Sequence, residues 1–194
     1  MTLTLFLPEL DQAIHTKVLA AVKYYQERYS DQHFYALGLG MVEDICGFFI
    51  IGNTLEHLAE ACRDEDEAYN YWYISEWKTE QFDGLPNLVH NVVAALAEKT
   101  NDDVEYDSLR QTYQAHILAV LTDMRNRGQL RNAQGDELLV WVQYADAYDE
   151  EFDDISFALL NAIELDQLFK FRYDTKKDNL TARLRQRMSD LALI

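Results

Sequence analysis

Only 2 Pro and 7 Gly punctuate these 194 residues, so the chain is restricted to long, uninterrupted elements. Five segments carry apolar residues at helical spacing. In the first, Leu10, Ile14, Val18, Val22, Tyr25 and Tyr29 fall on one face, and Pro8 suits a first helical turn, where its missing N–H costs nothing. The second starts at Asn53 or Thr54, where Asn53-x-x-Glu56 has the form of a capping box, and turns Leu55, Leu58, Ala59 and Cys62 inward. The third follows Gly84-Leu85-Pro86 with Leu85, Val89, Val92, Val93 and Leu96 as its stripe. The fourth runs from about Ser108 to Arg127 through Leu109, Tyr113, Ile117, Val120, Leu121 and Met124, with Gly128 as its stop. The last opens near Thr175 with a thin stripe of Leu180, Leu184, Met188 and Leu191. Ile155 to Tyr173 leans towards helix as well: Ile155, Leu159, Ile163 and Leu168 are its apolar positions and Asp154 a possible cap.

Strands are fewer. His33–Leu39 alternates weakly, and Cys46–Ile51 is an unbroken apolar run of the kind buried on both faces of a sheet. Met41 to Asp44 between them is short enough for a turn, which makes the two a hairpin. Tyr71–Ile74 is a candidate third strand and Glu137–Tyr144 a fourth. These readings give an α+β fold: a small, mainly antiparallel sheet of four to five strands packed with five to six helices in a single domain. A basic helix over 174–194 closes it.

Charge narrows the function classes. The chain holds 34 acidic and 17 basic residues, a net charge of −17, which disfavours nucleic-acid backbones and anionic membrane surfaces as partners. Aromatics at 12% argue against disorder. The apolar N-terminus, Met1 to Leu7, lacks the positive flank and small-residue site of a signal peptide, and the run Ile45 to Ile51 is far short of a membrane span. Two cysteines, Cys46 and Cys62, make no disulfide framework. The expected setting is soluble, reducing and cytoplasmic.

The densest feature is 146–154, where six carboxylates fall in nine positions. Its simplest reading is a solvated loop. Its functional reading is a docking surface for a basic partner, with Tyr148 and Phe152 as anchors and Asp146, Asp149, Glu150, Glu151, Asp153 and Asp154 steering a positive surface. The segment lacks the glycine and alternate-residue ligands of a calcium loop. Charge is also lopsided along the chain: residues 170–194 hold 7 basic and 3 acidic residues, a tail able to fold back on an acidic body. A second candidate is the aromatic cluster around Trp72, Glu76 and Trp77, either core packing or a pocket wall whose lone carboxylate would be pushed up in pKa. The five histidines are scattered without the two-ligand spacing of a zinc helix. No phosphate loop, nucleophile elbow, dinucleotide fingerprint or kinase signature is present, so neither a metal nor a cofactor is expected.

Several motifs in order carry a resemblance. They are Phe34-Tyr-Ala36, Gly52-Asn-Thr54, Tyr71-Trp-Tyr-Ile-Ser-Glu-Trp77, the strand ending in Tyr144-Ala-Asp146, and then Ile155-Ser156 and Leu160-Asn161. Together, over roughly residues 10 to 173, they resemble a bacterial family known as domain of unknown function 4303. Ala162 stands where that family is expected to carry proline. The family has no established activity. Its association with toxin and immunity genes implies a non-catalytic, immunity-type protein that neutralises a basic, toxin-like partner. A small enzyme or ligand-binding domain with its pocket at Trp72, Glu76 and Trp77 is the alternative.

Overall fold

A computed structural model of the chain describes residues 8–42, 47–64, 68–98, 103–145, 147, 149–175 and 177–194. In chain order its elements are α1 (Pro8–Arg28), β1 (Phe34–Met41), β2 (Phe48–Thr54), α2 (Leu55–Asp64), α3 (Ala68–Trp72), a 3-10 turn (Ile74–Glu76), α4 (Leu88–Ala97), α5 (Asp103–Asn126), β3 (Leu139–Tyr144), α6 (Glu150–Leu160), α7 (Ile163–Lys170) and α8 (Leu180–Asp190). The strand order is β2-β1-β3. β1 and β2 pair antiparallel, as the few residues between them require, with Met41 opposite Phe48. β3 returns parallel to β1, from Ala36 opposite Leu139 to Met41 opposite Tyr144. Every residue of β1 is buried, because helices cover both faces of the sheet.

Side-chain alternation along the strands divides the interior in two. Leu37, Leu39, Ile50, Val140 and Val142 face the stripes of α1, α4 and α5. Ala36, Ile51 and Trp141 face the other layer, built from α2, α3, α7 and α8 with Phe157 of α6. Gly38 lies on that second face beneath Ile74: a Cβ there would sit 2.4 Å from Ile74 Cγ2. Only a glycine lets the 3-10 turn approach the central strand so closely.

The α+β class stands, with two corrections of detail. The sheet is mixed and has three strands, not four to five mainly antiparallel ones, and eight α-helices surround it among the described residues. Tyr71–Ile74 is no strand. It ends α3 and enters the 3-10 turn, because its aromatic rings are buried on several sides rather than alternately. Trp72 Nε1 donates to Thr181 Oγ1 of α8 at 2.7 Å, Trp77 Nε1 to Tyr71 O at 3.3 Å, and Ile74 N to Gln143 Oε1 of β3 at 3.1 Å. The sheet stops at three strands because other groups occupy its edges. At β2, Phe82 N donates to Ile50 O at 3.0 Å and Thr79 Oγ1 donates to Gly52 O.

Local ends differ too. Thr54, not a box with Glu56, caps α2: its Oγ1 accepts from His57 N at 3.2 Å. Glu56 instead reaches His33, whose backbone N donates to Oε2 at 3.0 Å. α5 stops at Gly128 with φ +69°, the left-handed residue a helix C-terminus favours. α8 starts later than Thr175, where Asn179 Oδ1 accepts from Ala182 N at 2.8 Å. Among the described residues no helix is long and apolar enough to cross a membrane. Parts of the hairpin turn and of the acidic runs at 64–67 and 102–105 lie outside the described residues.

Candidate functional site

Residues 150–154 of the acidic segment fold as the start of α6. Asp149 is its cap, with Oδ1 accepting from Phe152 N at 3.0 Å, so the cap precedes Asp154 by five positions. Glu150, Glu151 and Asp153 follow in the first turn, where negative charge is stabilised by the helix dipole. Part of the local carboxylate density is thereby helix-start chemistry. Asp146 and Tyr148 lie outside the described residues.

α6 is fixed from several sides. Along β3, Ser156 Oγ accepts from Val142 N at 3.1 Å and Asn161 Oδ1 accepts from Val140 N at 2.9 Å. From α5, Arg125 Nε donates to Leu160 O at 2.8 Å and Nη2 to Leu138 O at 2.6 Å, tying the end of α6 to the entry of β3. Phe157 stacks on Phe169 of α7 with centroids 3.8 Å apart and rings 6° from parallel.

A buried polar node completes the attachment. Gln143 Nε2 donates to Asp153 Oδ2 at 2.8 Å and to Trp72 O at 3.3 Å. Arg172, after α7, donates from Nη1 to Asp154 Oδ1 at 2.5 Å and to Phe169 O at 3.1 Å. Its Nη2 stands 3.9 Å from Asp153 Oδ2, and the guanidinium lies 4.1 Å over the Phe169 ring. Among the described residues Asp153 Oδ1 and Arg172 Nε and Nη2 find no hydrogen-bond partner. Burial, above all, raises the Asp153 carboxyl to about 6, against the opposing pull of Gln143 and Arg172. An ionised carboxylate paired this loosely holds the helix in place but is expensive to keep charged.

The outer face of α6 has the opposite character. Ile155 and Leu159 are 48% and 54% exposed, Ile163 at the start of α7 is 87% exposed, and Ala158 and Ala162 are exposed as well. The sequence has Ile155 to Tyr173 leaning towards helix with Ile155, Leu159, Ile163 and Leu168 as its apolar positions; the segment is helical but in two pieces, α6 ending at Leu160 and α7 starting at Ile163, with extended backbone at Asn161 and Ala162. On α6, Phe152, Phe157 and Leu160 are buried. That helix therefore has two apolar faces and buries one. Asp149, Glu150 and Glu151 at the start of α6 and Glu164 at the start of α7 are exposed. Within the span Asp149–Asp154, then, Asp149, Glu150 and Glu151 face solvent, Asp154 is half-buried, and Phe152 and Asp153 are interior.

The aromatic alternative takes a different form. Trp72 and Trp77 are buried, with centroids 5.8 Å and 5.2 Å from that of Trp141. Glu76 is exposed. The rings are core, and the carboxylate stands in solvent rather than among them, so a pocket wall with Glu76 as its charged group is not formed. Negative charge is also not gathered on one face: exposed carboxylates occur on α1 at Glu9 and Glu27, on α2 at Glu60, on α5 at Asp107 and Asp123, and on α7 at Glu164. The tail packs on the body through Leu180, Thr181, Leu184 and Met188. His33 pairs with Glu56 and His116 with Asp11, far apart on different elements. Among the described residues no group of three or more His, Cys, Asp or Glu side chains is placed to hold a metal ion.

Arg125 and Arg172 were not singled out in the sequence. The available signal was a basic residue between aromatics, Phe169 to Tyr173, since an arginine stacked on rings is often interior.

No curated protein and no solved structure matches the chain. Residues 14–162 match the family described as Domain of unknown function (DUF4303). The matched span takes in all three strands and ends just after Asn161, the residue that covers the edge of β3. The chain belongs to that family.

Proposed function

We propose that the protein is a non-catalytic binding module whose α6–α7 surface occludes a basic protein partner, in the manner of an immunity protein neutralising a toxin. One observation carries this reading: large apolar side chains stand exposed on two adjoining helices, Ile155 and Leu159 on α6 and Ile163 at the start of α7, and Asp149, Glu150, Glu151 and Glu164 at the starts of the same helices are exposed too. Side chains of this size standing free in water on adjoining helices mark an interaction surface. Carboxylates around them select a positively charged partner and speed its approach, while the apolar centre supplies the affinity. Anchorage of α6 by Asn161, Ser156, Arg125 and Arg172 presents this surface on a rigid support, so little order has to be gained on binding. The reading suits a reducing, cytoplasmic setting. The net charge of −17 contributes long-range attraction, not the docking face itself.

The test is co-expression with the basic protein encoded beside this gene. Rescue of growth and a complex stable at low salt are expected, with both lost in Leu159→Asp. Persistent toxicity together with no complex would end the proposal.

A further inference from the structure

Lys17 occupies a position on α1 that its neighbours reserve for apolar side chains, between Ile14 and Val18 on one side and Ala21 on the other. It is 6% exposed. Its Nζ donates to Phe48 O at 2.9 Å and lies 5.1 Å from the centroid of the Phe48 ring. A lysine ammonium carries three N–H groups, and the backbone carbonyl takes one. No carboxylate of the described residues pairs with it, although the chain has 34 of them. A buried ammonium without a counter-charge is costly, and no acidic group among the described residues compensates it. Burial accordingly lowers its pKa.

Beside Lys17 a cavity of about 470 Å³ opens between β2 and the segment that follows the 3-10 turn. Phe48, Phe49 and Phe82 supply aromatic wall, and Gln81 and Asp83 stand at the exposed rim. A concave, ring-lined space with one fixed cation at its inner side has the make-up of a small-molecule site. The anionic end of the ligand must match one ammonium, and its body must replace water against aromatic rings. Phosphate fits this poorly: it is compact, strongly hydrated and multiply charged, and would meet rings where it needs donors.

We propose that this cavity binds a small monocarboxylate with an apolar body, its carboxylate on Lys17 Nζ and its hydrocarbon part against Phe48, Phe49 and Phe82. The site is separate from the α6–α7 surface, and its occupancy does not depend on the protein-binding reading.

The experiment is an amide ¹H–¹⁵N NMR titration of the full chain with phenylacetate, run in parallel with uncharged phenylacetamide. Saturable shifts at Phe48, Phe49, Gln81 and Phe82 are expected with phenylacetate, at an affinity at least about tenfold above that of the amide. Lys17→Met keeps the side-chain length without the charge and is expected to abolish the preference for the carboxylate while leaving the melting temperature equal or higher. Equal binding of acid and amide by the wild-type chain, shifts unchanged in Lys17→Met, or no saturable shift at these residues with phenylacetate would each overturn the proposal. The wild-type comparison decides the matter even if Lys17→Met does not fold.

Discussion

Asn161 pairs with both backbone groups of Val140: Nδ2 donates to Val140 O at 2.6 Å, and Oδ1 accepts from Val140 N at 2.9 Å. One side-chain amide thereby takes the place of a fourth strand's peptide group along the outer edge of β3. Two residues on, Ser156 Oγ accepts from Val142 N and lies 2.9 Å from Val142 O and 3.0 Å from Asp153 O, to one of which its proton goes. Asn161→Ala leaves Val140 N–H and C=O buried without partners. It is expected to destabilise the protein by about 2–3 kcal/mol, and Ser156→Ala by about 1–2 kcal/mol. Urea denaturation of both variants checks the order as well as the size.

Asp153 gives a pH dependence with a definite sign. Its carboxyl is raised from 3.8 to about 6 in the folded chain, first by burial. Between these values the folded state holds a proton that the unfolded state has lost. The group's favourable contribution is therefore complete below about pH 4 and is lost as pH rises through about 6. Relative to Asp153→Asn, the wild-type chain is expected to lose stability across this window, by up to about 3 kcal/mol. Unfolding free energies of the two chains at pH 4, 5, 6 and 7 give the difference curve; a flat one contradicts the assignment.

Gly38 predicts a packing defect of a different origin. An added methyl would meet Ile74 Cγ2 at 2.4 Å and Trp77 Cζ3 at 3.4 Å, so Gly38→Ala must displace the 3-10 turn or bend the central strand. A loss of about 1–3 kcal/mol is expected. The paired change Gly38→Ala with Ile74→Ala makes room and should recover part of that loss, which thermal melts of the single and double variants measure.

The readable parts of this fold were those with one uninterrupted physical cause. α1, α4 and α5 each carry a long stripe, and β1 and β2 are apolar runs joined by a short turn; local pattern suffices for all of them. Tyr71–Ile74 misled because aromatic residues favour strands by packing on a pleated surface, whereas here Trp72 and Ile74 bond to Thr181 and Gln143, which lie 109 and 69 residues away. The closure of β3 by Ser156 and Asn161 has no local signal, since either residue would be equally at home on a surface. On α6, Ile155 and Leu159 repeat at the same spacing as Ser156 and Leu160, one position out of phase. Periodicity finds such a helix but does not say which side is inward. The acidic density was legible; that Asp153 turns inward to Gln143 and Arg172 was not, because only tertiary contact brings Arg172 within reach.

Calorimetric titration of the basic partner against surface and control variants tests the binding account most directly. Leu159→Asp and Ile163→Asp place a charge on residues that are already exposed, so the fold should persist, as far-ultraviolet circular dichroism will show. Each is predicted to weaken binding by about 100-fold, while Glu27→Gln on α1 changes it by no more than about twofold. Undiminished affinity in both surface variants, or an equal loss in Glu27→Gln, would contradict the α6–α7 surface as the docking face.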